Sequence, residues 1–187
     1  MPTRFHELER QVAEIMRGNV SVAARADGAA VVTAEMTPVG RAIRIVLSEL
    51  RKEVPYDSCS VQELRGSRLA IVGGVGFADL DVILGESFDI DNLDIPNGEV
   101  IYRRRPLIVG DAEQYRAFRR GLHVGADIHS WLGVPMIDGD HVAGMIALDK
   151  AEPDFYSAAQ ADVALSFAAI VARAFRDARS RDAQSYA

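Results

Sequence analysis

Residues 130–150 read SWLGVPMIDGDHVAGMIALDK, and their reading decides the architecture. One apolar run ends at Asp138-Gly139 and a second begins directly after it. Asp-Gly between two such runs predicts a β-hairpin, because the tight turn that suits twisted strands needs positive φ at its centre. Shortly afterwards Ser157-Ala-Ala-Gln160 has the form of a capping box, in which serine and glutamine side chains each satisfy a backbone amide at a helix start. The helix it opens, residues 158–179, places Val163, Phe167, Ile170, Val171, Ala174 and Ala178 on one side. Arg173, Arg176, Arg179 and Arg181 gather in its second half, where cations suit the negative end of the helix dipole. Strand, tight turn, strand and capped helix, with no catalytic side chain on display, point to a sensory or binding module.

Upstream, residues 3–17 set Phe5, Leu8, Val12, Ile15 and Met16 on one helical face, which Gly18-Asn19 breaks. Residues 20–35 are rich in Ala and Val and fit either a second helix or a continuation of the first. From Pro38 a stripe of Val39, Ile43, Val46, Leu47 and Leu50 predicts a helix with proline in its first turn, ended by Val54-Pro55. Residues 56–64 and 68–77 read as two strands joined at Arg65-Gly66-Ser67. The first alternates Cys59 and Val61 against Ser58, Ser60 and Gln62; in the second, Gly73, Gly74 and Gly76 mark a bulge or a close approach. Residues 78–128 are irregular, with short helices expected at 99–104 and 113–120 and a short strand at Leu107-Ile108-Val109. A long irregular connection in a compact domain is more often a binding element than an idle loop.

The chain has 187 residues, 49% apolar and 26% charged, enough to bury a sizeable core and unlike a disordered chain. A formal charge of −6 argues against general nucleic-acid binding, and the basic run Arg103-Arg104-Arg105 reads as a solvated turn. The single cysteine, Cys59, excludes internal disulfides and cysteine-based zinc sites. No apolar run has the length of a membrane span and no signal-peptide core opens the chain, so a cytoplasmic protein without membrane contact is expected, or a cytoplasmic piece of a larger one.

Four passages, together with the terminal helix, carry a resemblance: VPYDSCSV at 54–61, IYRRRPLIVGD at 101–111, SWLGVPMI at 130–137 and GMIALDKAEPDF at 144–155. In this order, over roughly three-quarters of the chain, they resemble a GAF domain, the small-molecule sensor module of bacterial signalling proteins. The resemblance implies an α+β fold, with a central antiparallel sheet of about six strands. The terminal helices would pack on one face and the irregular 78–128 lid on the other, with a pocket beneath it. It sets residues 37–182 as the GAF domain, including a C-terminal signalling helix, and 1–36 as a helical extension. It further implies a homodimer paired through the terminal helices, an unidentified small-molecule ligand, and a downstream signalling domain or protein of the histidine kinase or two-component type. The aromatics Phe77, Tyr102, Tyr115, Phe118 and Trp131, which lie where the pocket would be, and His123 and His129, which flank the last piece of the lid, are the ligand-binding residues this analogy picks out.

Free methionine sulfoxide reductases share that fold but use several cysteines, because a disulfide relay needs a resolving thiol. Cys59 has no such partner and lies on the apolar alternation of a strand. The cysteine-histidine pair of bilin attachment is missing, since Leu122 precedes His123, and no Asn-Lys-x-Asp-type cyclic-nucleotide signature occurs. His141 follows the hairpin turn and reads as exposed. His6-Glu7-Leu8 resembles a phosphoacceptor tripeptide, but the residues after it depart from that pattern and no ATP-binding domain follows. Asp79, Asp81, Asp89, Asp91 and Asp94 lack the glycine and terminal glutamate of an EF-hand loop and read as a solvated or capping group. With no nucleophile–base pair and no metal-ligand spacing, neither a catalytic residue nor a metal site is expected, and no cofactor is named. The reading is a non-catalytic sensory domain, and the alternative is a ligand-free GAF module serving dimerisation or partner docking.

Overall fold

The computed structural model describes residues 2–17, 37–91, 95–115, 118 and 128–185. Six strands form one sheet in the order β3-β2-β1-β6-β5-β4, with every neighbouring pair antiparallel. The strands are β1 (Ser58–Arg65), β2 (Arg68–Val75), β3 (Ser87–Asp89), β4 (Leu107–Val109), β5 (Ser130–Asp138) and β6 (His141–Lys150). The helices are α1 (Pro2–Arg17), α2 (Pro38–Glu53), α3 (Leu80–Ile83), α4 (Pro96–Arg103) and α5 (Ala158–Ser185).

The hairpin is β5–β6, and its turn is offset by one residue from the expected centre. Asp138 pairs with His141, so Gly139 and Asp140 form the two-residue loop. Of the two, only Gly139 takes positive φ, at 58°. Glycine at the first central position is the requirement of a II′ turn, whereas Asp-Gly at the centre would have made a I′ turn.

α2 and α5 pack on one face of the sheet, and α1 packs against both of them. Leu8, Val12 and Met16 of α1, Val46, Leu47 and Leu50 of α2, and Phe167, Ile170 and Val171 of α5 are all buried there. The sheet meets them with Cys59 and Val61 of β1, Leu132, Val134 and Met136 of β5, and Ile146 and Leu148 of β6. The helix ends follow their expected chemistry. Thr37 Oγ1 accepts from the Gly40 amide at 2.9 Å, beside Pro38 in the first turn. Ser157 and Gln160 close the reciprocal box, with Ser157 N donating to Gln160 Oε1 at 2.8 Å and Gln160 N to Ser157 Oγ at 3.3 Å. On length and composition alone α5 is apolar enough to cross a membrane, with mean hydropathy 1.4 within Ala158–Arg181, which corrects the sequence reading. Half of that window is buried inside the protein, as befits a core helix.

The opposite face holds a second, smaller core of Leu69, Val100, Ile101, Trp131, Met145 and Ala147. α4 begins at Pro96, earlier than the expected helix at 99, because proline suits a first helical position. Arg104 caps it in the left-handed region at φ 54°. α3 and β3 are too short to leave a periodic signature; β3 is fixed by its ladder to β2, from Arg68–Asp89 to Ala70–Ser87. The β1–β2 register shifts beside Gly73, as the glycine run led one to expect. Where a helix was expected at 113–120, residues 112–114 form a turn and 116–117 and 119–120 lie outside the described residues. The helical reading of 20–35 lies outside them as well.

Candidate functional site

Strand alternation puts Ser58, Ser60 and Gln62 on the face away from α2 and α5, yet these polar side chains are buried, at 2%, 5% and 3% exposure. Asp149 of β6 joins them at 7%. Burying polar groups is unfavourable unless they are paired, and these are linked in short chains. Asn97 of α4 donates through Nδ2 to Gln62 Oε1 at 2.9 Å, and Gln62 Nε2 donates to Ser60 Oγ at 3.1 Å. Ser58 Oγ donates to Asp149 Oδ2 at 2.6 Å.

Above this polar floor is a cavity of about 60 Å³. Phe77, Ile83 and Phe88 close it on one side; Phe118, Ile128 and Trp131 close it on the other. Phe118 and Trp131 meet edge to face, with centroids 6.2 Å apart and planes at 78°. Trp131 lies along the sheet because Gly133 carries no side chain: a Cβ there would stand 2.2 Å from the indole. The volume exceeds what one water needs and falls well below the 300–1,000 Å³ of an open small-molecule pocket.

Of the seven residues picked out by analogy, Phe77, Phe118 and Trp131 come together at this cavity. Tyr102 does not: it is 73% exposed on the outer side of α4. Tyr115 is also outside the lining and donates to Glu99 Oε2 at 3.3 Å. His129 stands with Asp111 and Glu113, their ligand atoms all within 4.8 Å of one another, a mixed imidazole–carboxylate set of the kind that suits borderline divalent cations. Sequence reasoning did not bring those three together, because Asp111 and Glu113 lie within the 78–128 segment and His129 follows it. His123 lies outside the described residues. Of the residues that reading missed, Ser60 and Gln62 are polar side chains on a central strand and Asp149 is an acid closing the apolar run of β6, which are signals the sequence carries; Asn97 of α4 has none.

Burial pushes the Asp149 carboxyl up to about 6; the Ser58 hydrogen bond opposes this and the nearby Asp57 charge adds to it. Asp57 moves the other way, held below the usual carboxylate range by the hydrogen bond from Lys150 Nζ at 2.6 Å. Burial drives the Cys59 thiol well above its ordinary value, and the side chain is fully buried on the helix face of β1. A thiol of that kind is a poor nucleophile. His141 is exposed, as are His6 and the acids Asp79, Asp81, Asp89 and Asp91, while Asp94 lies outside the described residues.

The sequence profile of the GAF domain matches residues 37–176. No curated protein matches the chain. Among solved structures, the chain is similar to the GAF domain of a phosphoenolpyruvate-protein phosphotransferase from Coxiella burnetii, with 18% identity, TM-score 0.69 and 96% of each chain covered. It is similar to a fragment of a methyl-accepting chemotaxis protein at 15% identity and TM-score 0.65, over 90% of this chain and 94% of that one. A type II free methionine-R-sulfoxide reductase from Thermoplasma acidophilum is similar at 15% identity and TM-score 0.61, over 73% of this chain and 91% of that one. At such identities the likeness is one of fold.

Proposed function

Because the chain belongs to the GAF domain family, we propose that it is a non-catalytic sensory module: it binds a small molecule beneath the 78–128 segment and relays occupancy through its terminal helices, in a cytoplasmic signalling protein of the two-component type. The observation that carries this reading is the buried polar floor of Ser60, Gln62, Asn97 and Asp149 under a ring of aromatics. A sheet face meant only for packing would be apolar throughout, as the helix face is. A few converging polar groups in an otherwise apolar recess are the usual composition of a ligand site. The free methionine sulfoxide reductase fold does not bring its activity with it, since the sole cysteine is buried and has no second thiol to resolve a sulfenate.

Relay through the terminal helices requires a partner surface, and a second copy of the chain is the proposed one. Phe5, Leu8, Val163 and Phe167 line a groove of about 220 Å³ between α1, α2 and α5. Arg4, ion-paired with Glu49 and Glu53, borders it together with Glu7, and a self-complementary apolar patch of this kind is what a two-fold pairing uses. The small size of the inner cavity favours one second reading, a ligand-free module used for dimerisation or partner docking.

Native mass spectrometry of the purified chain tests these together. The expected result is a dimer carrying a reproducible extra mass that disappears in Ala147→Met, which fills the cavity floor. A bare dimer in both chains would favour the docking module, and a bare monomer would overturn both readings.

A further inference from the structure

Resting on that reading of the cavity, we propose that its ligand is a small organic cation, of the alkylammonium class, held between the carboxylate of Asp149 and the rings of Phe77, Phe88, Phe118 and Trp131. The charge of the wall comes first. Asp149 lines the cavity while 7% exposed, and only its Oδ2 is engaged by a side chain, the hydroxyl of Ser58. Among the described residues no Lys, Arg or His lines the cavity. The ammonium of Lys150, the residue after Asp149, is bound to Asp57. An ionised carboxylate in such a place is costly until a positive charge joins it; an entering cation supplies one, and an anion would meet the Asp149 carboxylate.

The rings then select the kind of cation. An aromatic face carries negative quadrupole density and attracts a cation within about 6 Å of its centroid. Phe118 and Trp131 stand nearly perpendicular, so they form a corner, and Phe77 and Phe88 face it from the β2–β3 side. A hard divalent ion would need about six oxygen ligands. This wall offers mostly carbon, which suits an ion whose charge is wrapped in methyl or methylene groups.

Trp131 is the only tryptophan of the chain, so its fluorescence reads the site directly. The experiment titrates the full chain with three probes of similar shape, tetramethylammonium, tert-butanol and pivalate, at ionic strength held constant with sodium chloride. Saturable binding of tetramethylammonium is expected, at least tenfold tighter than either other probe. Asp149→Asn keeps the shape and an acceptor for Ser58; it should weaken the cation at least tenfold and leave tert-butanol unchanged. Phe118→Leu should weaken the cation severalfold more than the alcohol, and it keeps the test decisive if the Asn variant does not fold. Equal or tighter binding of tert-butanol or pivalate, or cation binding unaffected by Asp149→Asn, would overturn the cationic class while leaving the cavity a ligand site. No saturation by any probe would overturn the class and count against the cavity as a binding site.

Discussion

Two carboxylates one strand apart, Asp57 and Asp149, pull the pH dependence of the protein in opposite directions. The folded chain keeps a proton on Asp149 up to about pH 6, against an ordinary value of 3.8 that holds once the chain unfolds. Between those values the folded state binds the extra proton, so stability falls as pH climbs through the window. Asp57, with its carboxyl lowered by Lys150, contributes stability above its unfolded value and loses it as pH drops. Asp149→Asn removes the first effect alone. Urea unfolding at pH 7.5 should find the variant more stable than the parent by ~1–3 kcal/mol, the size of a shift of one to two pH units. At pH 4 the difference should vanish. A gap of the same size at both values would mean that Asp149 is not carrying a proton in the fold. These side chains were legible in sequence only as types: alternation separates Ser60 and Gln62 from Cys59 and Val61, but nothing local says that the second face is covered too.

At the scale of elements, the sequence was most informative where a short-range rule fixes geometry. Pro38, the Ser157–Gln160 box, the Val54-Pro55 stop and the apolar stripes of α1, α2 and α5 all stand where the pattern put them. Legibility failed where an element is held by distant partners. β3 exists through its ladder to β2 and α3 is a single turn, so neither leaves a periodic trace. His129 joined Asp111 and Glu113 only because the fold returns the chain to the end of β4, where Ala112 N donates to His129 O. Caps are the testable part of this scale. Ser157→Ala leaves the Gln160 amide without its acceptor and should lower stability by about 1 kcal/mol. For a domain of this size that is a fall of ~2–4 °C in Tm, measured by calorimetry. An unchanged Tm would show that tertiary packing alone fixes the start of α5.

The whole molecule is a sheet with two unlike sides. The helix side depends on α1 although a long stretch of chain separates α1 from α2: Leu8, Val12 and Met16 are 4%, 4% and 2% exposed. Removing residues 1–17 strips cover from α2 and from Phe167 of α5, against which Phe5 packs. At about 1.5–3 kcal/mol for each buried side chain, the loss should reach several kcal/mol, seen as a lower urea midpoint and increased binding of an apolar dye. A truncated chain with the parental midpoint would mean that α1 is an appendage instead of a wall of the core. The central strands carry a last consequence. On β6, Asp149 borders the cavity while Leu148, the next residue, is sunk among α2 and α5; on β1, Ser60 and Val61 divide in the same way. Cavity and helices thus share a party wall one residue thick. Pressure from a guest on one side is passed through the same bricks to the other, a step of roughly 3.3 Å along the strand, and no element has to slide for the far side to feel it.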